Sequence, residues 1–185
     1  TIETYVYDPV THGPFQFHIV ALTYFLFGAS DFTSRIPTTM FSIAIVAMVW
    51  YWRRYLGKWG ALIAGFLLVI SPYMLYYGRY VRNESFVGFS GIVMLYVMLR
   101  HLETGGRKYL FLMAGALALH YTSKETSFIY TAEALIYLAV YFIIQVTRRP
   151  WGEAQKEYRS FIIALGVAVL LAGAAVAFGL YSRDA

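Results

Sequence analysis

The sequence predicts an all-α, polytopic transmembrane helical bundle, and three observations support this fold class. Hydrophobic residues make up 59% of the 185 residues and charged residues only 14%, whereas a soluble domain carries about 25% charged residues. Long apolar runs recur along the chain, and several approach the roughly 20 residues that a membrane-spanning helix needs. Tyrosine and tryptophan stand at many ends of these runs, as in the aromatic belts of membrane proteins.

Seven apolar runs are candidate helices. They cover residues 14–27, 36–52, 60–77, 85–99, 109–121, 126–146 and 160–181. The last two runs are long enough to span a bilayer, and the run 60–77 is adequate. The runs 85–99 and 109–121 are short, so they must include flanking polar residues or thin the bilayer locally.

Basic residues predict the orientation, because Lys and Arg gather in cytoplasmic loops. Ten of the 15 Lys and Arg residues fall in three alternate junctions: Arg53, Arg54, Lys58; Arg100, Arg107, Lys108; Arg148, Arg149, Lys156 and Arg159. These junctions are predicted to be cytoplasmic, and those at 31–35, 79–84 and 123–125 extracytoplasmic. The net charge of +5 therefore needs no nucleic-acid partner.

The first run, 14–27, is predicted to lie on the outer membrane surface as an interfacial helix. If it crossed the membrane, residues 1–13 would be cytoplasmic, yet that segment contains no Lys or Arg. Pro14 suits the first turn of this helix and Gly28 suits its end. About six spanning helices then remain in residues 31–185.

All three outward segments carry ionisable side chains: Asp8, His12 and His18; Arg79, Arg82 and Glu84; Lys124 and Glu125, with His120 one turn earlier. Arg and Lys can hold phosphate oxygens, and each can equally be a membrane-edge anchor. A carboxylate such as Glu84 can bind a divalent metal ion or remove a hydroxyl proton. We expect Arg79, Arg82, Glu84 and Lys124 to converge on one outward-opening cavity, with His12 at its rim.

Two further features bear on the chemistry. Glu133 lies within the run 126–146 and is predicted to face the bundle interior, because a carboxylate exposed to lipid is costly. The chain contains no cysteine, so it has neither disulfides nor thiolate metal ligands.

Several short motifs follow one another in a recognisable order. They are Tyr7-Asp8-Pro9-Val10-Thr11-His12-Gly13-Pro14-Phe15, Leu26-Phe27-Gly28-Ala29-Ser30-Asp31, Ser71-Pro72, Tyr77-Gly78-Arg79-Tyr80-Val81-Arg82-Asn83-Glu84 and Thr122-Ser123-Lys124-Glu125-Thr126. This order resembles the GT-C membrane glycosyltransferases, of the protein O-mannosyltransferase and aminoarabinose-transferase type (glycosyltransferase family 39). The His12-Gly13-Pro14 form is similar to a subgroup associated with flippase activity in archaeal-type protein glycosylation.

The resemblance implies that the chain is the N-terminal half of such an enzyme without its first helix. Residues 1–30 would end the first extracytoplasmic loop, and residues 31–185 would belong to the transmembrane domain. Glu84 would match a family acidic residue and Lys124 a family lysine, while His12 would fall at a basic-or-histidine position. The family's principal acidic motif would lie upstream of Thr1, and Asp8 does not occupy its place.

The resulting prediction is a multi-pass enzyme of the cell membrane with an extracytoplasmic active face. It would transfer a sugar from a polyprenyl-phosphate-linked donor to a hydroxyl acceptor. Glu84 is the candidate catalytic residue, with His12, Arg79, Arg82, Lys124 and Glu125 as candidate substrate-binding residues; a divalent metal ion at Glu84 is an open alternative. A non-catalytic subunit of a larger membrane complex or a flippase-associated protein is the second hypothesis. A secondary transporter is the third, although no internal repeat is visible.

Overall fold

The computed structural model describes residues 13–181, which form helices and no strand. The α-helices are α1 Phe15–Phe27, α2 Asp31–Val49, α3 Arg53–Ile70, α4 Pro72–Tyr77, α5 Glu84–Thr104, α6 Arg107–Tyr121, α7 Ser127–Arg148 and α8 Gln155–Tyr181. Short 3-10 turns lie at Trp50–Trp52 and Gly152–Ala154. The predicted all-α fold is confirmed. The chain divides into two compact units between Ile136 and Tyr137, within α7.

Three helical segments of the described part are long and apolar enough to cross a membrane: Asp31–Ile70, Glu84–Thr104 and Ser127–Arg148. The first segment contains α2 and α3, and its helical path is broken by a kink at Gly57 within α3, where φ is 72° and ψ is 170°. Leu68 of α3 lines the same groove as Ser42 and Val46 of α2. The two helices therefore fold back on each other. The total of about six spanning helices stays a prediction.

The start and end signals of the first two helices follow from their residues. Gly28 ends α1 at φ 82°, a left-handed value that is easiest for glycine. Ser30 caps α2: its hydroxyl accepts from the amide of Thr33, and the Thr33 hydroxyl accepts from the amide of Ser30. This reciprocal pair satisfies two amides that would otherwise lack partners at the helix start. Pro14 immediately precedes α1, as the sequence indicated.

The run 60–77 is not one helix. Helix α3 ends at Ile70, and α4 starts at Pro72, because Ser71 adopts an extended backbone with ψ 123°. A residue before proline is pushed out of the α region by the proline ring. The break turns the tyrosine-rich segment Pro72–Tyr77 into a short separate helix.

Paired contacts align α2, α5 and α6 in the first unit. Helices α2 and α5 run parallel, since Ser42 lies 2.9 Å from Ser85 and the Trp52 ring 5.9 Å from that of Tyr96. Helix α6 runs antiparallel to α5. Its start is joined to the end of α5 by the Arg100–Tyr109 hydrogen bond of 3.2 Å.

Two opposite ends of this unit are therefore defined. Glu84 and Lys124 meet at one end, and Arg54 and Glu103 pair at the other. This arrangement groups residues 79–84 with residues 123–125, as the charge pattern predicted. Which end faces the cytoplasm stays a prediction from the basic residues.

The start of α1 is fixed to the Glu84 end. The amide of Gly13 donates to the carbonyl of Ser123 at 3.2 Å, and the amide of Phe15 to that of Thr122 at 2.9 Å. The Phe15 ring packs edge-on against Phe41 of α2 and Phe86 of α5. These contacts join the start of α1 to α2, to α5 and to the turn that follows α6. The placement of α1 on the membrane surface stays a prediction.

The predicted orientation can be tested by cysteine labelling. Tyr80 is 51% exposed at the Glu84 end, and Thr104 is exposed at the other end. We expect a membrane-impermeant maleimide added outside intact cells to label Tyr80→Cys. Thr104→Cys should be labelled only after permeabilisation. The reverse pattern would contradict the charge-based topology.

A second prediction concerns Gly13. A Cβ at this position would overlap the carbonyl of Thr122, whereas nothing lies within 4 Å of a Cβ at Gly115. We expect Gly13→Ala to destabilise the protein by about 1–3 kcal/mol, the usual cost of overpacking. Thermal unfolding in detergent measures this. Gly115→Ala is the matched control and should leave the melting temperature unchanged or raise it, since alanine favours helix.

Candidate active site

A charged pair lies at the end of the first unit where α1, α5 and the α6–α7 turn meet. Lys124 Nζ donates to Glu84 Oε1 at 3.2 Å. The side chains are 12% exposed for Glu84 and 26% for Lys124. Because this pair is mostly removed from solvent, its attraction is screened less than that of a surface pair.

The second carboxylate oxygen of Glu84 is only partly compensated. Arg82 Nε lies 3.3 Å from Oε2, which is close enough for attraction. Its alignment does not make a hydrogen bond, and Oε2 is a buried oxygen without a hydrogen-bond partner among the described residues. Glu84 thus offers a free acceptor position beside two cations.

Glu84 and Lys124 separate two cavities. The first, the tyrosine cavity, has a volume of about 280 Å³ and is lined by Ile45, Tyr73, Met74, Tyr77, Gly78, Glu84, Ser85, Val87, Gly88, Lys124, Thr126 and Tyr130. The second, the loop cavity, measures about 220 Å³ and is lined by Gln16, Phe17, Val81, Arg82, Asn83, Glu84 and Lys124. Only Glu84 and Lys124 line both, so a ligand in either cavity reaches the same charged pair.

Local structure holds Glu84 in place. It is the first residue of α5, where a negative charge interacts favourably with the helix dipole. The preceding loop is fixed at two points: Gln16 Nε2 donates to the Val81 carbonyl at 3.0 Å, and the Thr39 hydroxyl donates to the Gly78 carbonyl at 3.0 Å. A Cβ on Gly78 would lie 2.8 Å from Ser42 Oγ, so glycine permits this close approach to α2.

Lys124 is positioned by the tight turn between α6 and α7. The amides of Ser123 and Lys124 donate to the His120 carbonyl. The buried Ser127 hydroxyl contacts the carbonyls of His120 and Lys124, and the buried Ser123 hydroxyl donates to Leu119 at 2.6 Å. These bonds fix the backbone from which the lysine side chain extends.

Within residues 13–181, four buried polar atoms without a hydrogen-bond partner cluster around this site. They are Asn83 Oδ1, Glu84 Oε2, His120 Nε2 and Thr126 Oγ1. Asn83, Glu84 and Thr126 line the two cavities, and the His120 ring lies 5.0 Å from that of Tyr130, which lines the tyrosine cavity. Native proteins leave few buried polar atoms unsatisfied. Such a concentration next to two cavities indicates a site for a polar ligand.

The structure brings Arg82, Glu84 and Lys124 together, as predicted, but not every expected residue. Arg79 lines grooves bounded by α2 and α4 and neither cavity of the charged pair. Glu125 is exposed and lines neither of the two cavities at the charged pair. His12 lies outside the described residues. The functional roles of these residues stay predictions.

Comparison with known families now places the chain. The family model described as dolichyl-phosphate-mannose-protein mannosyltransferase matches residues 11–172, which is most of the chain. The chain belongs to this family. It is thus a membrane glycosyltransferase of the GT-C type and an integral membrane protein, as the motifs indicated. No curated protein and no solved structure was found to match it.

Several residues of this candidate site were not individually predicted. In the sequence, Thr126 and Tyr130 are simply part of the apolar run 126–146. Gln16 is a polar residue within the apolar run 14–27. Tyr73 and Tyr77 belong to the tyrosine-rich segment beside the arginines, so composition pointed to them. Burial and the negative charge of Glu84 raise the pKa of the Tyr73 phenol above its ordinary value, so this phenol stays neutral at pH 7 and can donate a hydrogen bond.

One expectation about the family chain is wrong. Glu133 is exposed rather than directed into the bundle, because only 6% of the most apolar 18-residue stretch of α7 is buried within the described structure.

The described residues contain no group of three or more His, Asp or Glu side chains able to hold a metal ion. A metal at Glu84 stays a prediction.

Removing Lys124 should leave the mostly buried Glu84 charge with only the partial compensation of Arg82. We expect Lys124→Met to destabilise the protein by about 1–3 kcal/mol. Adding Glu84→Gln should restore part of that loss, because the orphaned charge is removed. Chemical denaturation of the single and double variants measures the coupling. Arg54→Met is the control: its pair with Glu103 is 58% and 35% exposed, so its loss should cost less than about 1 kcal/mol. Additive effects of Lys124→Met and Glu84→Gln would show that the pair contributes nothing.

Proposed function

We propose that this enzyme transfers a sugar from a polyprenyl-phosphate-linked donor to a hydroxyl acceptor at the extracytoplasmic face of the cell membrane. The observation that carries the proposal is the Glu84–Lys124 pair on the wall between two cavities, with the free Oε2 oxygen beside it. Membership of the mannosyltransferase family supports a lipid-linked donor.

Lys124 and Arg82 would hold the donor phosphate. Both are cations within 3.3 Å of the Glu84 carboxylate, and charge-assisted contacts to phosphate are roughly twice as strong as neutral ones. A phosphate bound there would replace Glu84 as a partner of these cations. The carboxylate would then be less compensated and a stronger hydrogen-bond acceptor.

Glu84 would act on the acceptor. Its free Oε2 can accept a hydrogen bond from the acceptor hydroxyl and take up the proton. The hydroxyl oxygen forms a bond to the anomeric carbon while the bond from that carbon to the phosphate oxygen breaks. The polyprenyl phosphate leaves with the electron pair of the broken bond, and its negative charge is stabilised by Lys124 and Arg82.

The two cavities suit these two substrates. The tyrosine cavity combines phenol groups with apolar side chains such as Ile45 and Val87, a combination that suits a sugar next to a lipid chain. The loop cavity is lined by Gln16, Asn83 and the charged side chains, Arg82 among them, which suits a polar acceptor next to the donor phosphate.

Steady-state kinetics of the full-length protein, with a polyprenyl-phosphate-linked sugar and a hydroxyl acceptor, tests these roles. We expect Glu84→Gln to lower kcat by about 10²–10⁴-fold with little change in the donor KM, since it keeps the shape and removes the base. Lys124→Gln should mainly raise the donor KM, by roughly tenfold or more.

Glu103→Gln provides the control at the opposite end of α5, because Glu103 pairs there with Arg54 and Arg100 far from the cavities. It should leave both constants close to those of the unaltered enzyme. Glycosyl transfer that is undiminished in Glu84→Gln would refute the proposed base.

A further inference from the structure

A second feature at the Glu84 end is not used by the proposed reaction. Two adjoining cavities, of about 360 and 190 Å³, share Thr39 and Arg79 and so form one open groove, here called the arginine groove. Its upper part contains Arg35 and Arg79. Its lower part lies between α2 and α3 and is lined mainly by apolar residues, including Ile43, Val46 and Leu68.

Helix periodicity explains the α2 side of the groove. Arg35, Thr39, Ile43 and Val46 are spaced by four, four and three residues, which places them on one face of a helix. From Arg35 to Val46 the helix rises about 16 Å. One face of α2 therefore changes along its length from charged, through a hydroxyl, to apolar.

The two guanidinium groups at the upper end carry uncompensated positive charge. Both arginines are exposed, and within residues 13–181 neither belongs to any of the ion pairs. Asp31 lies one turn before Arg35 on α2, but their side chains are not within ion-pair distance. Two unpaired arginines at one end of an apolar groove are complementary to a ligand with an anionic head and a hydrocarbon tail.

The arginine groove is separate from the site of the charged pair. Neither Arg35 nor Arg79 lines the cavities that Glu84 and Lys124 share. The end of α4 lies between the two regions, since Met74 and Gly78 line both the groove and the tyrosine cavity. A head group on the arginines would therefore not occupy the place of the transferred sugar.

We propose that the arginine groove binds an anionic phospholipid of the surrounding bilayer. Its phosphate is held by Arg35 and Arg79 at the level of the Glu84 end, and one acyl chain lies along Ile43 and Val46. Arginine matches phosphate oxygens through two parallel hydrogen bonds. The hydroxyl of Thr39 lies between the arginines and the apolar part, although it already donates to the Gly78 carbonyl. A lipid bound in this way stabilises the packing of α2, α3 and α4 next to the Glu84–Lys124 pair.

Native mass spectrometry of the full-length protein in detergent tests the proposal, with phosphatidylglycerol as the probe and phosphatidylcholine for comparison. We expect one phosphatidylglycerol to be retained in preference to phosphatidylcholine. The double variant Arg35→Gln/Arg79→Gln should weaken its binding about tenfold for each arginine lost. The matched control is Lys58→Gln/Arg107→Gln, which removes two exposed cations outside the groove.

A second variant blocks the groove without changing charge. Ile43 is 64% exposed and Ile63 is 59% exposed, but only Ile43 lines the groove. Ile43→Trp should reduce phosphatidylglycerol binding at least several-fold, and Ile63→Trp should not. The lipid-binding measurement does not use sugar transfer, so a failed proposed function would not affect its outcome. Sugar transfer at saturating donor should be preserved in Ile43→Trp.

Several results would overturn the assignment. Unchanged phosphatidylglycerol binding in Arg35→Gln/Arg79→Gln would do so, as would equal retention of phosphatidylcholine. Loss of binding in the arginine variant but not in Ile43→Trp would indicate a phosphate contact without an acyl-chain site. Displacement of phosphatidylglycerol by a polyprenyl phosphate, with a raised donor KM in the arginine variant, would assign the groove to the donor. An empty groove in the full-length protein would mean that other parts of the chain cover it.

Discussion

The contact between Lys124 and Glu84 links parts of the chain that are 40 residues apart and determines what this end of the molecule can do. It places the first turn of α5 against the turn between α6 and α7. The same turn, through the carbonyls of Thr122 and Ser123, holds the start of α1. Three segments are thus joined at one place. If the lysine pointed elsewhere, Arg82 would be the one cation left beside the carboxylate among the described residues.

A mostly buried ion pair is a costly way to join helices, because both groups lose hydration. Here the cost is only partly recovered, since Oε2 of Glu84 has no hydrogen bond among the described residues. Apolar residues of similar size would join the helices with less penalty. Asn83, Thr126 and His120 carry further unsatisfied atoms close by. An arrangement that gives up stability at one place in this way is typical of a binding site, where the ligand completes the missing contacts.

Much of the fold followed from the sequence because its signals are local. Gly28 correctly predicted the end of α1, and the apolar runs predicted helices. The alternating basic junctions predicted which loops lie at the same end of the first unit. The break at Ser71-Pro72 was equally local, but the apolar run on both sides concealed it. Glu133 was misjudged for another reason. Its exposure depends on how little of α7 packs in this part of the chain, and no short pattern reports that.

The different positions of Arg79 and Arg82 show most clearly what the sequence alone could not predict. They are three residues apart, so a helical reading places them on one face, and both were expected at one cavity. The segment between α4 and α5 is not helical: Gly78 approaches Ser42 closely, and the Arg82 amide donates to the Tyr80 carbonyl at 2.9 Å. Arg79 consequently lies toward α2 and Arg82 toward Glu84. One short loop thus supplies a cation to each of two neighbouring regions, one beside the unsatisfied carboxylate and one above an apolar groove. That separation lets the charged pair respond to a polar substrate while the other arginine remains available to the bilayer.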